Sequence, residues 1–139
     1  MRVLSVTAQK PCSTGSGVYL TEVVRSLAKM GVSQAVVAGV TREDRVDMPE
    51  GVTVYPVYFS SEKLPYPVVG MSDEMPYTST RYRDMTEEMA GQFKAAFLEV
   101  LDEAIEKENP DIILCHHLYY LTALIRAHYP AKKVYGFCH

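Results

Sequence analysis

The chain has 139 residues, enough for one domain with a core of its own. It is 47% hydrophobic and 22% charged with a formal net charge of −3, which excludes the disordered and fibrous classes and lacks the basic surplus of a nucleic-acid binder. No apolar stretch reaches membrane-span length, the first residues lack a signal-peptide pattern, and three scattered cysteines make no disulfide framework, so a reduced, cytoplasmic protein is expected.

Arg2 to Thr7 reads as a short buried strand, because Val3, Leu4 and Val6 are apolar and strand-prone. A turn-rich loop, Gln9 to Gly17, follows. The period then changes: Leu20, Val23, Val24, Leu27 and Met30 recur at helical spacing and predict one apolar helix face, with Gly31 placed to close it. Ala35 to Gly39 predicts a second strand. Val52 to Phe59 predicts a third, whose Pro56 argues for a sheet edge or an early strand end.

From Ser60 to about Arg83 the pattern is irregular, with Pro65, Pro67 and Pro76 among Tyr66, Tyr77 and Tyr82. A segment of this length without structure is uncommon and usually functional or mobile. Two readings stay open for the tyrosine-rich stretch from Tyr55 to Tyr82: an acceptor-binding loop, or a loop that packs its own rings. Met85, Met89, Phe93, Phe97, Val100, Leu101 and Ile105 then mark a long amphipathic helix that cannot continue past Pro110. Its glutamates, Glu87, Glu88 and those from Glu99 to Glu108, read as a solvated face. Ile112 to Cys115 is a fourth strand, Leu118, Leu121, Leu124 and Ile125 suggest a helix ending near Pro130, and Lys133 to Cys138 is a fifth strand.

Alternating strands and helices, with strands apolar on both faces, predict an α/β, doubly wound, mostly parallel Rossmann-like sheet with helices on both faces. The expected strand order is 3-2-1-4-5, which makes the crevice between strands one and four the topological switch point. Three polar clusters should converge on its rim: the loop at Gly15, Ser16 and Gly17 after strand one, His116 and His117 after strand four, and His139 after strand five.

Each cluster has a functional and a plain reading. Glycines before a helix start let backbone N–H groups approach a phosphate, and the helix dipole favours an anion there. The full dinucleotide fingerprint is absent, since Leu20 stands at the third glycine position, and no lysine follows as in a P-loop. The plain alternative is a strand–helix turn with Ser16 as the cap. Adjacent residues leaving a strand point to opposite sides, so one of His116 and His117 is expected to face the crevice while the other packs. Tyr119 and Tyr120 open the next helix and are expected to pack. A zinc site built from Cys12, Cys115, Cys138 and the histidines is disfavoured by spacing, so no metal is expected.

These residues carry a resemblance. MRVLSVT, the glycine loop, VYLTEVVRSLAKMG, QAVVAG, NPDIILCHH and KKVYGFCH together resemble the N-terminal domain of GT-B glycosyltransferases, nearest to the large retaining group 1 / family 4 type. The loop is Gly-Ser-Gly where that family more usually has adjacent glycines. The resemblance implies that residues 1–139 are an incomplete GT-B N-terminal, acceptor-side domain, with the donor-binding C-terminal domain outside this chain and no activity from this chain alone. It implies a nucleotide sugar, a UDP- or GDP-sugar, as donor substrate, no tightly bound cofactor, and a glycan, lipid or small metabolite as acceptor. It also implies that His139 lies nearest the transferred sugar as the catalytic candidate, with Gly15 to Gly17 on the diphosphate and His116 or His117 beside them. Peripheral membrane contact and self-association through apolar surface near strand five are compatible with it, and nucleic acid is not. The alternatives are another GT-B-shaped enzyme such as a sugar-nucleotide epimerase, and a flavodoxin-like or nucleotide-binding regulatory module. The acid-free end of strand one, Val6 to Gln9, disfavours a phosphoryl-accepting version of the last.

Overall fold

The computed structural model describes residues 1–11, 13–70, 72 and 74–138. In chain order the elements are β1 (Arg2–Thr7), α1 (Gly15–Lys29), β2 (Ser33–Val40), β3 (Thr53–Tyr58), β4 (Val69–Gly70) and β5 (Thr80–Arg81). A 3₁₀ turn (Tyr82–Asp84), α2 (Glu87–Glu108), β6 (Ile112–His116), α3 (Tyr120–His128) and β7 (Lys133–Phe137) complete them. The main sheet is five-stranded in the order β3-β2-β1-β6-β7, and every pair in it is parallel. This is the expected order, with β6 and β7 as the fourth and fifth strands, and the fold is a doubly wound, Rossmann-like α/β sheet. Pro56 is accommodated because β3 is an edge strand that pairs only with β2.

The two faces of the sheet are covered unequally. On one face Leu4, Val6, Ala35, Val37, Ile113 and Cys115 meet Phe93, Phe97 and Leu101 of α2 and Leu121 and Ile125 of α3. Phe59, Phe93 and Phe97 form an aromatic knot in that layer, with ring centroids 4.4–6.3 Å apart. Fully buried side chains of this kind contribute about 1.5–3 kcal/mol each. The other face is smaller: Leu20 and Val24 of α1 pack on Val36, Ala38 and Val40 of β2. Toward β7 that layer thins, and Tyr135 is 55% exposed.

Helix ends follow local chemistry. Thr14, and not Ser16, caps α1: its Oγ1 accepts the Gly17 N–H at 3.0 Å. Gly15, Ser16 and Gly17 are therefore the first turn of the helix rather than a loop before it. The exit turns at Gly31, whose φ of +76° suits a residue without a Cβ. Met30, assigned to the apolar face by its spacing, is instead the C-cap and 75% exposed, because the helix stops before that position can turn inward. At α2, Thr86 accepts from the Met89 N–H at 3.1 Å, which leaves Met85 outside the helix. Its acidic first turn, Glu87 and Glu88, and basic last turn, Lys107, complement the helix dipole. α3 begins at Tyr120, two residues later than the apolar spacing suggests. Leu118 stays outside it, and its Cδ2 fills the space where a Cβ on Gly136 would sit, 2.3 Å away.

The segment from Ser60 to Arg83 is not structureless. β4 and β5 pair in parallel, Val69 with Thr80 and Gly70 with Arg81. Side-chain hydroxyls on backbone carbonyls hold it: Tyr77 on Val69 (2.8 Å), Thr80 on Pro67 (2.7 Å) and Tyr66 on Met89 (2.9 Å). Tyr66 and Tyr77 are thus structural, and burial pushes both phenols up to about 12. No helix among the described residues is long and apolar enough to cross a membrane.

Candidate functional site

The carboxyl ends of β1 and β6 are neighbours, Val6 opposite Cys115, and the chain leaves them in different directions: through Ala8 and Gln9 toward α1, and through His116 and His117 toward α3. This is the switch point of the sheet, the usual ligand crevice of a doubly wound fold. A small cavity of about 10 Å³ lies there, lined by Ala8, Gln9, Tyr82, His116, His117 and Thr122 among others. It opens beside a cleft of about 410 Å³ that shares Tyr82 and Tyr119 with it and adds Arg81, Arg83 and Tyr120.

His116 is the last residue of β6. It is 4% exposed and stacks on Phe137 of β7, with ring centroids 4.8 Å apart and planes at 27°. Tyr19, on the second turn of α1, closes the group from above at 6.0 Å. His117 leaves the strand with φ of +83°, a conformation uncommon for any residue but glycine. Its N–H donates to the Phe137 carbonyl at 3.1 Å and its carbonyl accepts from Thr122 Oγ1 at 2.5 Å, so the unusual backbone is pinned from both sides. Its ring lies nearly parallel to that of Tyr119, 13° between planes and 6.4 Å between centroids. The two adjacent histidines thus have different neighbours, His116 in an aromatic box with α1 and β7, His117 against the entrance to α3, and both border the cavity.

At the start of α1 the Thr14 cap consumes the Gly17 N–H, so the amides left for a ligand are those of Gly15 and Ser16. A Cβ on Gly15 would meet nothing within 4 Å and its φ is ordinary, so the protein's own packing places no demand for glycine there. Ser16 is buried, and its hydroxyl lies 3.1 Å from that of Thr14. His139 and Cys12 lie outside the described residues.

Lys10 follows Gln9 on the same rim. Its ammonium pairs with Asp44 at 3.0 Å and lies 5.0 Å from the centroid of the Tyr77 ring. Burial alone would raise the Asp44 carboxyl, but hydrogen bonds from the Thr41 N–H, Lys10 and the Thr41 hydroxyl outweigh it and hold the group below its ordinary value. Burial pushes the Tyr82 phenol well above its ordinary range. Burial likewise pushes the Cys115 thiol up to about 11, which disfavours its thiolate at neutral pH. Among the described residues no group of three His, Cys, Asp or Glu side chains could hold a metal ion.

Gln9 and the start of α3 join this site without having been singled out in the sequence, and Tyr82, of the tyrosines in the possible acceptor-binding loop, is the one that reaches it. Gln9 could have been, because it is the polar residue at the carboxyl end of the central strand, the same argument that draws attention to His116. Tyr82 reaches the crevice only through the β4–β5 pairing, which local sequence does not announce.

No protein-family model and no curated protein sequence matches the chain. Solved structures do. A sucrose-phosphate synthase from Thermosynechococcus elongatus matches 98% of this chain with a TM-score of 0.62 and 9% identity. The UDP-GlcNAc 2-epimerase from Neisseria meningitidis, bound to UDP-GlcNAc, matches 99% of it with a TM-score of 0.54 and 14% identity. The fold is GT-B-like. At these identities the likeness is one of fold alone, and the chain spans 32% of the length of each of these two structures.

Proposed function

We propose that this chain is the acceptor-side, Rossmann-like domain of a glycosyltransferase of the retaining group 1 / family 4 type, which moves a hexosyl group from a UDP- or GDP-sugar to an acceptor hydroxyl. One observation carries the reading: the histidine pair lines a switch-point cavity in which no carboxylate is found among the described residues, and α1, which follows the neighbouring strand β1, brings its Tyr19 ring to 6.0 Å from that of His116. Such a crevice suits an anionic, oxygen-rich ligand such as a sugar diphosphate. In this reading the Gly15 and Ser16 amides meet the diphosphate, the Thr14 cap having taken the Gly17 N–H. His116 and His117 line the donor side, and His139 lies nearest the transferred sugar. Transfer breaks the anomeric C–O bond to the diphosphate and forms one to the acceptor oxygen, the hydroxyl proton passing to the leaving phosphate. The leaving charge is met by backbone amides, with no tightly bound metal. A second, donor-binding domain supplies the rest of the site, and the chain by itself is inactive. The compartment is cytoplasmic, and self-association through the exposed surface around Tyr135 belongs to the same proposal.

The test is titration of the ¹⁵N-labelled chain with UDP-glucose and GDP-mannose. Amide shifts centred on Gly15, Ser16, His116 and His117 are expected, with no turnover of either sugar nucleotide. Absence of shifts with both ligands overturns the binding assignment, and robust transfer or hydrolysis by the chain overturns the two-domain assignment. The fold shared with an epimerase bound to UDP-GlcNAc favours one competing reading, a sugar-nucleotide epimerase. Conversion of a sugar nucleotide to its epimer without any acceptor would select it.

A further inference from the structure

Gln9 is 2% exposed, yet its side-chain Nε2 has no hydrogen-bond partner among the described residues. Its backbone N–H is satisfied by Thr7 Oγ1 at 3.2 Å. A buried donor without an acceptor is costly and rare, so the space it borders calls for an occupant. That space is the switch-point cavity, whose volume of about 10 Å³ matches a single oxygen-sized group.

The N-terminus of α3 faces the same space. Tyr119, its N-cap, makes no side-chain capping bond. The Thr122 hydroxyl does not cap either, because it is turned to donate to the His117 carbonyl. No hydrogen bond from the backbone N–H groups of Tyr120, Leu121 or Thr122 is found among the described residues. Leu121 and Thr122 line the cavity, and Tyr120 lines the adjoining cleft. These N–H groups sit at the positive end of the helix dipole. Among the described residues no Asp or Glu lines either space. The carboxylate of Asp84 is engaged by Arg81 Nε at 2.6 Å.

We propose that this is an anion site distinct from the first turn of α1. Gln9 Nε2 and the first-turn amides of α3 together bind one oxygen of a phosphate or carboxylate group, and the rest of the ligand occupies the 410 Å³ cleft between Tyr82, Tyr119, Arg81 and Arg83. The site stands on its own geometry. Its identification with the acceptor rests on the transferase reading, and it makes that acceptor anionic rather than a neutral glycan.

The experiment titrates the ¹⁵N-labelled chain with inorganic phosphate and with acetate, using chloride at matched ionic strength as the control. Phosphate or acetate, and not chloride, should shift the amides of Tyr120, Leu121 and Thr122 and the side-chain NH₂ of Gln9. A response to phosphate alone assigns a phosphorylated ligand, and a response to acetate assigns a carboxylate. Gln9→Glu should weaken the response at least tenfold. Gln9→Leu should weaken it several-fold while raising the Tm of the ligand-free chain, because it removes an unpaired buried donor. Shifts confined to Gly15 and Ser16 would overturn this site and leave the transferase reading standing, and no shift with either anion would overturn it as well. A Gln9→Leu chain with lower Tm and unchanged anion response would make Gln9 a purely structural residue and sink the proposal.

Discussion

The two ends of the central sheet treat a buried glutamine differently. At the amino end, Gln34 of β2 is 7% exposed and donates its Nε2 to the Val24 carbonyl at 2.8 Å, tying strand to helix. At the carboxyl end, Gln9 keeps its Nε2 unpaired beside a cavity. The Gln34 Oε1 is also without a partner, but an under-used carbonyl oxygen is a milder defect than an orphaned N–H. The same contrast runs through the neighbouring backbone. The amino end is closed by Arg2 N–H to Asp111 Oδ2 at 2.9 Å and Asp111 N–H back to the Arg2 carbonyl at 2.8 Å. The carboxyl end holds a strained His117 and the open first turn of α3. Donors satisfied within the protein serve stability, and donors left waiting at the switch point serve a ligand.

Two glycines offer the strongest way to break this contrast. A Cβ on Gly39, near the carboxyl end of β2, would lie 2.2 Å from the Ala8 carbonyl oxygen and 2.9 Å from Phe59 Cε1. Backbone has to move, and the backbone that moves leads directly into Gln9. Gly39→Ala should cost about 1–3 kcal/mol in urea unfolding and abolish the phosphate-dependent amide shifts. Gly51, toward the amino end, has open space around it but φ of +86°. Gly51→Ala should cost about 1 kcal/mol through that dihedral alone and leave the shifts unchanged. A Gly39→Ala chain that binds like the parent would show that the crevice does not depend on the close approach of β2 to Ala8.

The sheet could be read from the sequence because its signals are local and strong. Runs such as Ala35 to Gly39 and Ile112 to Cys115 are apolar on both faces, Gly31 and Pro110 punctuate, and alternation with helices leaves few topologies. Helix boundaries were less readable. Met30 and Leu118 fit the apolar spacing yet lie outside α1 and α3, because spacing reports a face and not where the capping bonds end the element. The start of α1 depended on one hydroxyl: Thr14 and Ser16 are both plausible caps, and only the Thr14 geometry decides which amides remain for a ligand. The β4–β5 pair was invisible because two-residue strands have no period, and their partners are eleven residues apart. Tyr82 enters the crevice through that pairing, so the sequence could offer it as part of an acceptor loop but could not place it beside His116 and Thr122.

His117 gives a sharper and smaller test. Its φ of +83° is strain that only the surrounding bonds to Phe137 and Thr122 sustain. Glycine adopts the same backbone freely. His117→Gly should therefore raise stability by about 1 kcal/mol while weakening sugar-nucleotide binding. Opposite signs in the two measurements would mark strain kept for function. Loss of both stability and binding would show that the ring's packing outweighs the dihedral cost, and that the carboxyl end is less strained than its backbone suggests.

The smallest expected effect concerns Lys10 and Asp44, whose charges on the carboxyl rim are mutually satisfied. Asp44 is held below its ordinary value of 3.8, so its folded form binds its proton less readily than its unfolded form. The stability this confers is complete above that ordinary value and is lost as the pH falls through the lower folded value. With both side chains partly exposed, Asp44→Asn should cost less than about 1 kcal/mol at pH 7, and the gap to the parent should close as the pH drops below 3.8. Gln9 lies one residue before Lys10, so a loosened ion pair should also broaden the Gln9 side-chain NH₂ signal without removing anion binding. An asparagine oxygen can still accept the Thr41 hydrogen bonds, so a gap that stays constant from pH 7 to acid would assign the cost to the fit of the amide NH₂ beside Lys10 rather than to the charge on Asp44.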